Sequence, residues 1–424
     1  MLLLYRLLTL LLSPFLFLYL LIRRARGLEA RGRFLERLGL TKLSRPEGKL
    51  IWLNAVSMGE INSAWTIVSR INRKNECNIL ITTTSQTGAA AAMGKIESLD
   101  FPERVIHQYA PIDFFFSLRC FLRRWRPNLL VNVESEFWPN MFTMAREHCP
   151  IIVLNGKLSR RSFRFWYRFR GLKERVFSNI DLCLAQSKVD YRKFLNLGVQ
   201  NVQFLGNIKF FVAKSPVNVT LYERLLREVG GRERWFANCT HRGEEELVLE
   251  VHRELRRIYP NLITFLVARH AERTDEVLEL LRSAAIKYAT TSQGQRIGEE
   301  IEFYVHDGYG DLGTFFDLCK IVFIGGSMVD GVGGHTPAES IKHHCCVVTG
   351  PSVENNLMLF KELEAVDGCL VLKEASAARL FSTISFLLAS PAEVERISKN
   401  AYLRSLGYNG VLNEIVELLM ARLS

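Results

Sequence analysis

The chain has 424 residues, a formal net charge of +11, 48% hydrophobic residues and 23% charged residues. This length suggests two or three domains, and the high apolar content with only 12 prolines excludes a disordered or collagen-like chain. The nine cysteines are odd in number and include no Cys-x-x-Cys pair, which argues against a disulfide scaffold or zinc ribbon and favours a reducing compartment.

The positive charge is concentrated in two short segments. Residues 1–33 carry a net charge of +5 and residues 157–175 a net charge of +7, which leaves the rest of the chain close to neutral. A basic surface spread over the whole fold, as a general nucleic-acid binder uses, is therefore disfavoured. The pattern predicts two local contacts with anionic partners.

The first predicted element is an apolar helix. Residues 1–22 contain one arginine, one threonine and one serine among apolar residues, and about 22 helical residues reach roughly 33 Å, enough to cross a bilayer. Three arginines at 23–26 follow, which under the positive-inside rule predicts that the remaining chain is cytoplasmic. A cleaved signal peptide is the alternative, but this arginine-rich sequence is a poor cleavage site. Pro14 leaves open whether the helix spans the membrane or lies bent in one leaflet.

Beyond this helix, short apolar runs alternate with amphipathic stretches, which predicts an α/β fold of buried parallel strands with crossover helices. The first predicted strands are 50–54, 79–84, 129–133, 151–154, 182–185 and 202–205. After 214–216 the pattern restarts with 235–238, 262–267, 301–305, 321–324, 346–348 and 370–372. We therefore expect two doubly wound sheets joined near residues 208–220, with the ligand in the crevice between them.

Carboxylates follow two strands of the first predicted sheet. Glu60 falls at a strand-to-helix turn, where it is either a helix cap or a base that faces the ligand. Glu134 and Glu136 come directly after the strand 129–133. Two carboxylates at such a position are rarely there for packing, so we expect at least one to face the site.

The second half contains a glycine-rich turn. Gly325-Gly326-Ser327 follows a strand, and the glycines at 331–334 precede Pro337. Glycines let a backbone approach a phosphate, and a helix N-terminus adds N–H donors. The spacing is not GxGxxG, so a Rossmann dehydrogenase is weakly supported. Arg269 and His270, after another strand, are candidate cationic donors to the same phosphate, with a plain surface position as the alternative.

Two further patterns bear on the chemistry. The chain has no Asp-x-Asp pair, the usual device by which a sugar-nucleotide enzyme holds a divalent ion. The tract at 343–346, His-His-Cys-Cys, does not predict a metal site, because adjacent strand residues point to opposite faces. Residues 157–175 interleave cations with aromatic rings, which suits a membrane interface, stacked nucleic-acid bases or an ordinary solvated helix.

Together these segments resemble the Kdo (3-deoxy-D-manno-octulosonic acid) transferases of lipopolysaccharide synthesis. Seven motifs agree with that family in order and approximate spacing, and they cover nearly the whole chain. After the N-terminal helix and Arg31-Gly32, they are Glu36-Arg37-Leu38-Gly39, 55–60, 134–140, 206–210, 240–245, 269–273 and 333–339. The sequence departs from the usual family pattern at Ala271, Asp311 and Thr336.

The resemblance implies a membrane-associated enzyme of GT-B architecture, with two Rossmann-like domains and an N-terminal membrane-anchoring helix. It implies a membrane anchor at 1–26, an acceptor-binding domain at 27–212 and a CMP-Kdo-binding domain at 213–424. The implied reaction moves Kdo from CMP-Kdo onto a lipid A precursor, lipid IVA, with inversion and without a cofactor or metal. The implied location is the cytoplasmic side of the inner membrane. The expected partner there is an anionic membrane surface, and no nucleic acid is expected to bind.

The resemblance also implies roles for individual residues. Glu60 is the expected general base, while Glu134 and Lys209 are expected to stabilise the transition state. The residues expected at the CMP moiety are Arg269 and His270 on the phosphate and Gly310, Asp311, Thr336, Pro337, Ala338 and Glu339 around the nucleotide, with Glu339 accepting from the ribose hydroxyls.

Two other functions stay open on the residues alone. A membrane-tethered transferase of the same fold with a UDP-sugar donor would also use a glycine turn. A membrane-associated RNA-binding protein would rest on the 157–175 segment.

Overall fold

We describe the fold from a computed structural model, which describes residues 1–26, 29–30, 32–212, 214–308, 310–407 and 409–423, with the backbone alone at 209 and 409. The chain forms two compact units. Unit 1 comprises Met1–Phe211 and Asn409–Ser424, and unit 2 comprises Val212–Tyr408. Each unit is a parallel sheet with helices around it, which confirms the predicted fold class.

Unit 1 contains seven strands among the described residues, in the order β3-β2-β1-β4-β5-β6-β7. These are β1 (Leu50–Asn54), β2 (Asn78–Thr83), β3 (Val105–Tyr109), β4 (Leu129–Val133), β5 (Ile151–Gly156), β6 (Leu182–Ala185) and β7 (Val202–Gln203). The helices are α1 (Leu2–Ala25), α2 (Met58–Lys74), α3 (Gln86–Ile96), α4 (Phe115–Trp125), α5 (Pro139–Ala145), α6 (Arg160–Arg168), α7 (Arg170–Phe177), α8 (Lys188–Leu197) and, from the chain's end, α17 (Asn409–Met420). The winding reverses between β1 and β4, where sheets of this kind bind ligands.

A buried polar network joins the three central strands of unit 1. Trp52 Nε1 donates to Thr82 Oγ1 over 2.8 Å, and Thr82 Oγ1 donates to Asn54 Oδ1 over 2.9 Å. Asn54 Nδ2 in turn donates to Asn132 Oδ1 over 2.9 Å. Because these side chains are fully buried, their mutual bonds offset the loss of water and hold β2, β1 and β4 in register. The edge at which β1 and β4 end is thereby fixed.

Unit 2 repeats the architecture with strand order β10-β11-β9-β8-β12-β13-β14. The strands are β8 (Arg234–Thr240), β9 (Ile263–Ala268), β10 (Tyr288–Thr290), β11 (Phe303–Val305), β12 (Ile321–Ile324), β13 (Cys346–Thr349) and β14 (Leu370–Val371). The helices are α9 (Val219–Val229), α10 (Glu244–Arg256), α11 (Thr274–Ser283), α12 (Leu312–Leu318), α13 (Ala338–Lys342), α14 (Leu357–Glu364), α15 (Ala377–Ala389) and α16 (Pro391–Leu406). Here the winding reverses between β8 and β12.

The structure differs from the sequence-based expectation at two kinds of position. The strands β3 and β10 were not predicted, because β3 contains polar residues and β10 has only three residues. The sequence also placed the end of the chain in the second domain, whereas α17 belongs to unit 1. It packs against α2, where Lys74 Nζ lies 2.8 Å from Glu417 Oε1.

Within the described residues, α1 is the one helix long and apolar enough to cross a membrane by length and composition. It has 24 residues, Pro14 lies inside it, and it ends next to the predicted arginine cluster. Its side chains are mostly exposed.

Candidate active site

Glu60 lies in the first turn of α2, directly after β1. Its Oε2 accepts from the backbone N–H groups of Val56, over 2.6 Å, and Ser57, over 3.3 Å. Its own N–H donates to Ser57 Oγ over 3.3 Å, which completes a capping box. The helix cap that the sequence offered as one alternative therefore exists. It uses only Oε2, so it leaves Oε1 available for a second role.

The surroundings of Glu60 favour its neutral form. Burial, together with the charges of Glu134 and Glu136, raises the pKa of this carboxyl to about 8, although the two backbone bonds lower it. Burial also raises the pKa of Glu136, whose Oε2 accepts from Trp138 Nε1 over 2.9 Å. A carboxyl that titrates near neutral pH at the switch point of a parallel sheet is suited to proton transfer.

Glu134 takes a backbone conformation that side chains rarely adopt. Its φ is +59°, and that of Asn155, at the end of the neighbouring strand β5, is +57°. Asn155 Nδ2 lies 3.4 Å from Glu134 Oε1, and Asn155 Oδ1 accepts from the N–H of Ile208 over 3.3 Å. Left-handed backbone at a non-glycine residue costs about 1–3 kcal/mol and persists where the surroundings enforce it. The ends of β4 and β5 are thus bonded to each other and to the 3-10 turn Ile208–Phe211.

Lys209, the third residue expected at this site, lies in that turn. Its side chain falls outside the described residues. Ile208, the residue before Lys209, donates its N–H to Asn155, and Asn155 is in turn bonded to Glu134. The backbone of Lys209 is therefore one residue from this network. Its role stays a prediction.

In unit 2 a buried glutamate occupies the switch point. Glu244, the first residue of α10, is fully buried. Its Oε2 accepts from the N–H groups of Gly326, over 2.7 Å, and His241, over 2.9 Å. Its Oε1 accepts from Ser327 and Met328, each over 2.9 Å. Four backbone amides therefore surround one carboxylate of the protein itself.

This arrangement corrects the interpretation of the first glycine turn. The amides after Gly325 were expected to approach a phosphate, but Glu244 already accepts them. Gly325 is required for a different reason, because a Cβ there would lie 2.6 Å from the Cys239 carbonyl oxygen and 2.8 Å from Glu244 Oε2. The N–H groups of this turn form an anion-binding loop, and the anion that they bind is the Glu244 carboxylate.

Three histidines and one arginine gather at the same edge of the unit 2 sheet. The Nε2 atoms of His241 and His335 lie 2.8 Å apart with their rings stacked, and the His270 ring centroid lies 5.8 Å from that of His241. Such a contact requires one ring nitrogen to donate and the other to accept. Burial, together with the charge of Arg269, lowers the pKa of His335 to about 4, so this imidazole is neutral at pH 7.

Arg269 has the character expected of an anion-binding residue. It is half-buried, and among the described residues no carboxylate is bonded to its guanidinium. Burial raises the pKa of the Cys239 thiol to about 11, while Arg269 lowers it and Glu339 raises it, so both charged groups lie near this one residue. His270 is half-exposed beside Arg269, with its Nδ1 3.9 Å from Glu272 Oε1.

The other predicted nucleotide residues lie on loops at this edge. Gly310 and Asp311 follow β11 with φ of +87° and +54°, and the Gly310 carbonyl oxygen lies 3.0 Å from His306 Nε2. Thr336 Oγ1 accepts from the N–H of Ala338 over 3.4 Å, and Pro337 precedes α13. Glu339 Oε2 accepts from Ser215 Oγ over 3.3 Å. Arg269 and His270 are adjacent after the end of β9 and Glu339 lies in α13, whereas Gly310 and Asp311 sit on the loop after β11.

The described residues show no cluster of metal-ligating side chains. Across the described ranges, no three or more His, Cys, Asp or Glu side chains are arranged to hold a metal ion. In the tract at 343–346, His343 Nδ1 is bonded to Asp317 Oδ1 over 2.8 Å, and Cys345 is buried against the Phe316 carbonyl.

Sequence reasoning missed the roles of Glu244, His241, His335 and Asn155. Three of them, Glu244, His241 and His335, lie within the motifs quoted for the family resemblance. The motifs therefore marked these positions but did not indicate which atoms they contact. Glu244 bonds to residues 82 to 84 positions away, and His241 to one 94 positions away. No local pattern predicts partners at such separations.

Comparisons with a family model and with individual proteins identify the same family. A family model described as 3-deoxy-D-manno-octulosonic-acid transferase (kdotransferase) matches residues 32–212. The chain is 30% identical over 386 residues to a 3-deoxy-D-manno-octulosonic acid transferase of Rickettsia bellii, covering 91% of this chain and 90% of that protein. It is 31% identical over 412 residues to a probable mitochondrial 3-deoxy-D-manno-octulosonic acid transferase of Arabidopsis thaliana, covering 94% and 91%.

Solved structures resemble the fold. A glycosyltransferase from Rickettsia africae matches with a TM-score of 0.60 at 11% identity, covering 89% of this chain and 100% of that one. At this identity the likeness concerns the fold alone, and it agrees with the two-domain GT-B architecture that the sequence predicted.

The Glu244 carboxylate generates a testable prediction. Glu244→Gln places an NH₂ group where two backbone N–H groups now donate, so we expect the free energy of unfolding to fall by about 2–4 kcal/mol. Urea unfolding measures this change. The matched control is Glu246→Gln, because Glu246 is an exposed glutamate of the same helix turn that accepts one bond, from Gly243 N–H over 3.1 Å. Equal, small changes in both variants would contradict the structural role of Glu244.

Proposed function

Because the chain belongs to the Kdo transferase family, and is therefore a glycosyltransferase of lipopolysaccharide synthesis, we propose that it transfers Kdo from CMP-Kdo to a lipid A precursor such as lipid IVA. Unit 2 binds the donor nucleotide, and unit 1 binds the acceptor. No metal ion takes part, as the family resemblance implies.

The donor is held by the edge residues of unit 2. Arg269 and His270 contact the CMP phosphate, because Arg269 is a half-buried cation with no bonded carboxylate among the described residues. Gly310, Asp311 and the 336–339 segment surround the nucleotide. Glu339 accepts from the ribose hydroxyls, a role in keeping with its present acceptance of the Ser215 hydroxyl.

The chemical step needs a base on the acceptor side. Glu60 Oε1 takes the proton of the acceptor hydroxyl while that oxygen bonds to the anomeric carbon of Kdo. The bond from that carbon to the phosphate oxygen of CMP breaks, and its electron pair leaves with CMP beside Arg269. Attack opposite the leaving group inverts the configuration through an oxocarbenium-like transition state.

Glu134 and Lys209 stabilise that transition state in our proposal. A carboxylate held in strained backbone next to the base offers negative charge to a developing oxocarbenium ion. The Lys209 ammonium is suited to the charge that develops on the leaving group or on the Kdo carboxylate.

The observation that carries this proposal is the state of Glu60. One of its oxygens is bonded to the backbone and the other is not, and burial brings its pKa to about 8, close to working pH. A plain helix cap needs neither the burial nor the two neighbouring carboxylates.

The proposed location is the cytoplasmic face of the inner membrane, against an anionic surface. The helix α6 exposes Phe165 and Tyr167, and arginines of 160–170 lie exposed around them. Aromatic rings with cations are typical of a lipid interface, and we assign this surface to the membrane rather than to nucleic acid.

Product analysis tests the function directly. Mass spectrometry after incubation with CMP-Kdo and a tetra-acylated lipid A precursor should show addition of Kdo to the lipid. Titration with CMP, UMP and UDP separates the proposal from the UDP-sugar alternative, because we expect CMP alone to bind tightly. Preference for a uridine nucleotide, with no Kdo transfer, would overturn the donor assignment.

The first functional prediction concerns the base. Glu60→Gln preserves the bonds from Val56 and Ser57 but cannot take a proton, so we expect turnover to fall by about 10²–10⁴ with nucleotide affinity nearly unchanged. Ser57→Ala is the matched control, since it weakens the same cap by about 1 kcal/mol and keeps the carboxylate. If Ser57→Ala lost as much turnover as Glu60→Gln, the cap and not proton transfer would explain both effects.

The second concerns pH. A base must be ionised, and the Glu60 carboxyl has a pKa of about 8, so kcat/KM should rise about tenfold per pH unit below 8 and level off above it. The negative charge of Glu136 contributes to this raised pKa. Glu136→Gln should therefore move the rise to lower pH. A flat profile between pH 6 and 8 would exclude Glu60 as the base.

The third concerns the donor phosphate. Arg269→Ala removes a charge-assisted contact worth roughly 1.5–3 kcal/mol and should raise the KM for CMP-Kdo about 10–100-fold, with lipid affinity little changed. Arg242→Ala is the control, because Arg242 lies nearby but is exposed and paired with Glu276 over 2.8 Å. An effect of Arg269→Ala on the lipid substrate alone would contradict donor binding by unit 2.

A further inference from the structure

The N-terminal helix α1 contacts unit 1 near both of its ends. Its least exposed positions are spaced by about one or two helical turns and therefore form one stripe of the helix. The stripe consists of Leu2, Tyr5, Arg6, Thr9, Ser13, Leu20 and Arg23. Leu2 and Tyr5 pack against the core of unit 1, and Leu20 is only 5% exposed.

The beginning of α1 is bonded to the loops at the carboxyl edge of the sheet. Tyr5 Oη donates to Asp113 Oδ2 over 2.8 Å. Arg6 Nε donates to Asn140 Oδ1 over 3.2 Å, and its guanidinium lies 5.0 Å from the centroid of Phe115. Asp113 also accepts from the N–H groups of Asn140 and Met141, which begin α5, so the first turn of α1 is joined to a rigid part of unit 1.

The end of α1 is bonded to the same unit. Arg23 Nε lies 2.8 Å from Glu29 Oε1, and Arg37 Nη2 lies 3.1 Å from Glu29 Oε2. The Glu29 side chain is almost fully buried, so this ion pair is shielded from solvent. The ring centroids of Phe17 and Phe34 lie 6.1 Å apart.

These contacts are incompatible with a membrane span. A helix of 24 residues is about 36 Å long, and a span would separate its two ends by a hydrocarbon layer of about 30 Å. Here both ends are bonded to one folded unit, which lies on one side of the membrane. A spanning helix would also expose Arg6 to lipid, at a cost of about 2.5 kcal/mol or more.

The opposite face of α1 is suited to lipid. Leu3, Leu11 and Phe15 are 72%, 71% and 70% exposed, although they belong to an apolar helix. The basic segment 157–175 lies beside the start of α1. A Cβ added at Gly171, within this segment, would be 3.0 Å from the Met1 side chain. An apolar face bordered by arginines and exposed aromatic rings complements an anionic leaflet.

We propose that α1 lies in the plane of the membrane, within a single leaflet of an anionic phospholipid bilayer, with its outward face among the acyl chains and its polar stripe on unit 1. The proposal rests on the membrane location proposed above and specifies its geometry. The chain is then attached to one face of the bilayer without crossing it.

This geometry has a consequence for the acceptor. A cavity of about 370 Å³ lies between the second half of α1 and the carboxyl edge of the unit 1 sheet. Leu16 and Leu20 of α1 line it together with Thr84, Ser85 and Trp138. Trp138 donates to Glu136, so the cavity adjoins the loop that carries Glu134 and Glu136. A Cβ at Gly88, in the helix that Ser85 caps, would lie 3.3 Å from the Ser57 backbone, so the cavity also adjoins the turn that carries Glu60. With α1 in the leaflet, a phosphorylated lipid reaches this cavity from the bilayer surface.

The first experiment determines which side of the membrane the chain's start occupies. The full chain carries a short uncharged, protease-sensitive epitope tag before Met1 and is expressed in a two-membrane bacterium. We expect it in the membrane fraction, with the tag resistant to protease added to intact spheroplasts and cleaved after lysis. Cleavage in intact spheroplasts would overturn the in-plane geometry. A soluble chain would instead overturn the membrane location on which the geometry rests. A single-span protein with an external tag shows that the protease acts.

The second experiment compares two leucines that are two residues apart along α1 and lie on opposite faces of the helix. Leu18 is 55% exposed and Leu20 only 5%. Leu18→Gln should weaken flotation with anionic vesicles about 10–100-fold, while Leu20→Gln should change it less than about twofold and lower the thermal stability instead. In a spanning helix both leucines meet lipid, so equal losses of vesicle binding would overturn the proposal.

Discussion

The carboxyl edge of a parallel sheet presents backbone N–H groups that need acceptors, and both units meet this need with a glutamate from the helix after the central strand. Glu244 is bonded through both oxygens to four amides, so its charge is fully used within the fold. Glu60 is bonded through one oxygen to two amides and lies close to Glu134. The number of donors thus separates a structural carboxylate from one that keeps an oxygen for the proton transfer proposed above.

How much the sequence could predict depends on where the partners lie. The strand β1, buried at every position, is recognisable as an apolar run. In β3 the buried His107 and Gln108 are tolerated because they bond to Thr83 Oγ1 over 2.9 Å and to Trp125 Nε1 over 2.7 Å. The position of Glu60 was predictable from its strand-to-helix turn, but Glu244 was not, because its partners are distant in sequence. Local periodicity predicts faces, and only the fold supplies such partners.

The contacts of α1 link the membrane helix to the proposed site through short, rigid steps. Tyr5 is bonded to Asp113, which also caps the start of α5, and α5 directly follows the loop that carries Glu134 and Trp138. Burial raises the pKa of Asp113 to about 6, and the bonds from Tyr5, Met141 and Asn140 keep it from rising further. In the in-plane geometry proposed above, these contacts fix the position of that loop relative to the bilayer surface, where the head group of a lipid acceptor lies.

In unit 2, burial and the charge of Arg269 control the protonation of the histidine cluster at the proposed donor site. His335 is kept neutral by burial and by the charge of Arg269, and it shares a hydrogen bond with His241, whose pKa is lowered by burial and by His270. In the donor-binding role proposed above, a phosphate at Arg269 offsets that positive charge and raises the pKa of both imidazoles.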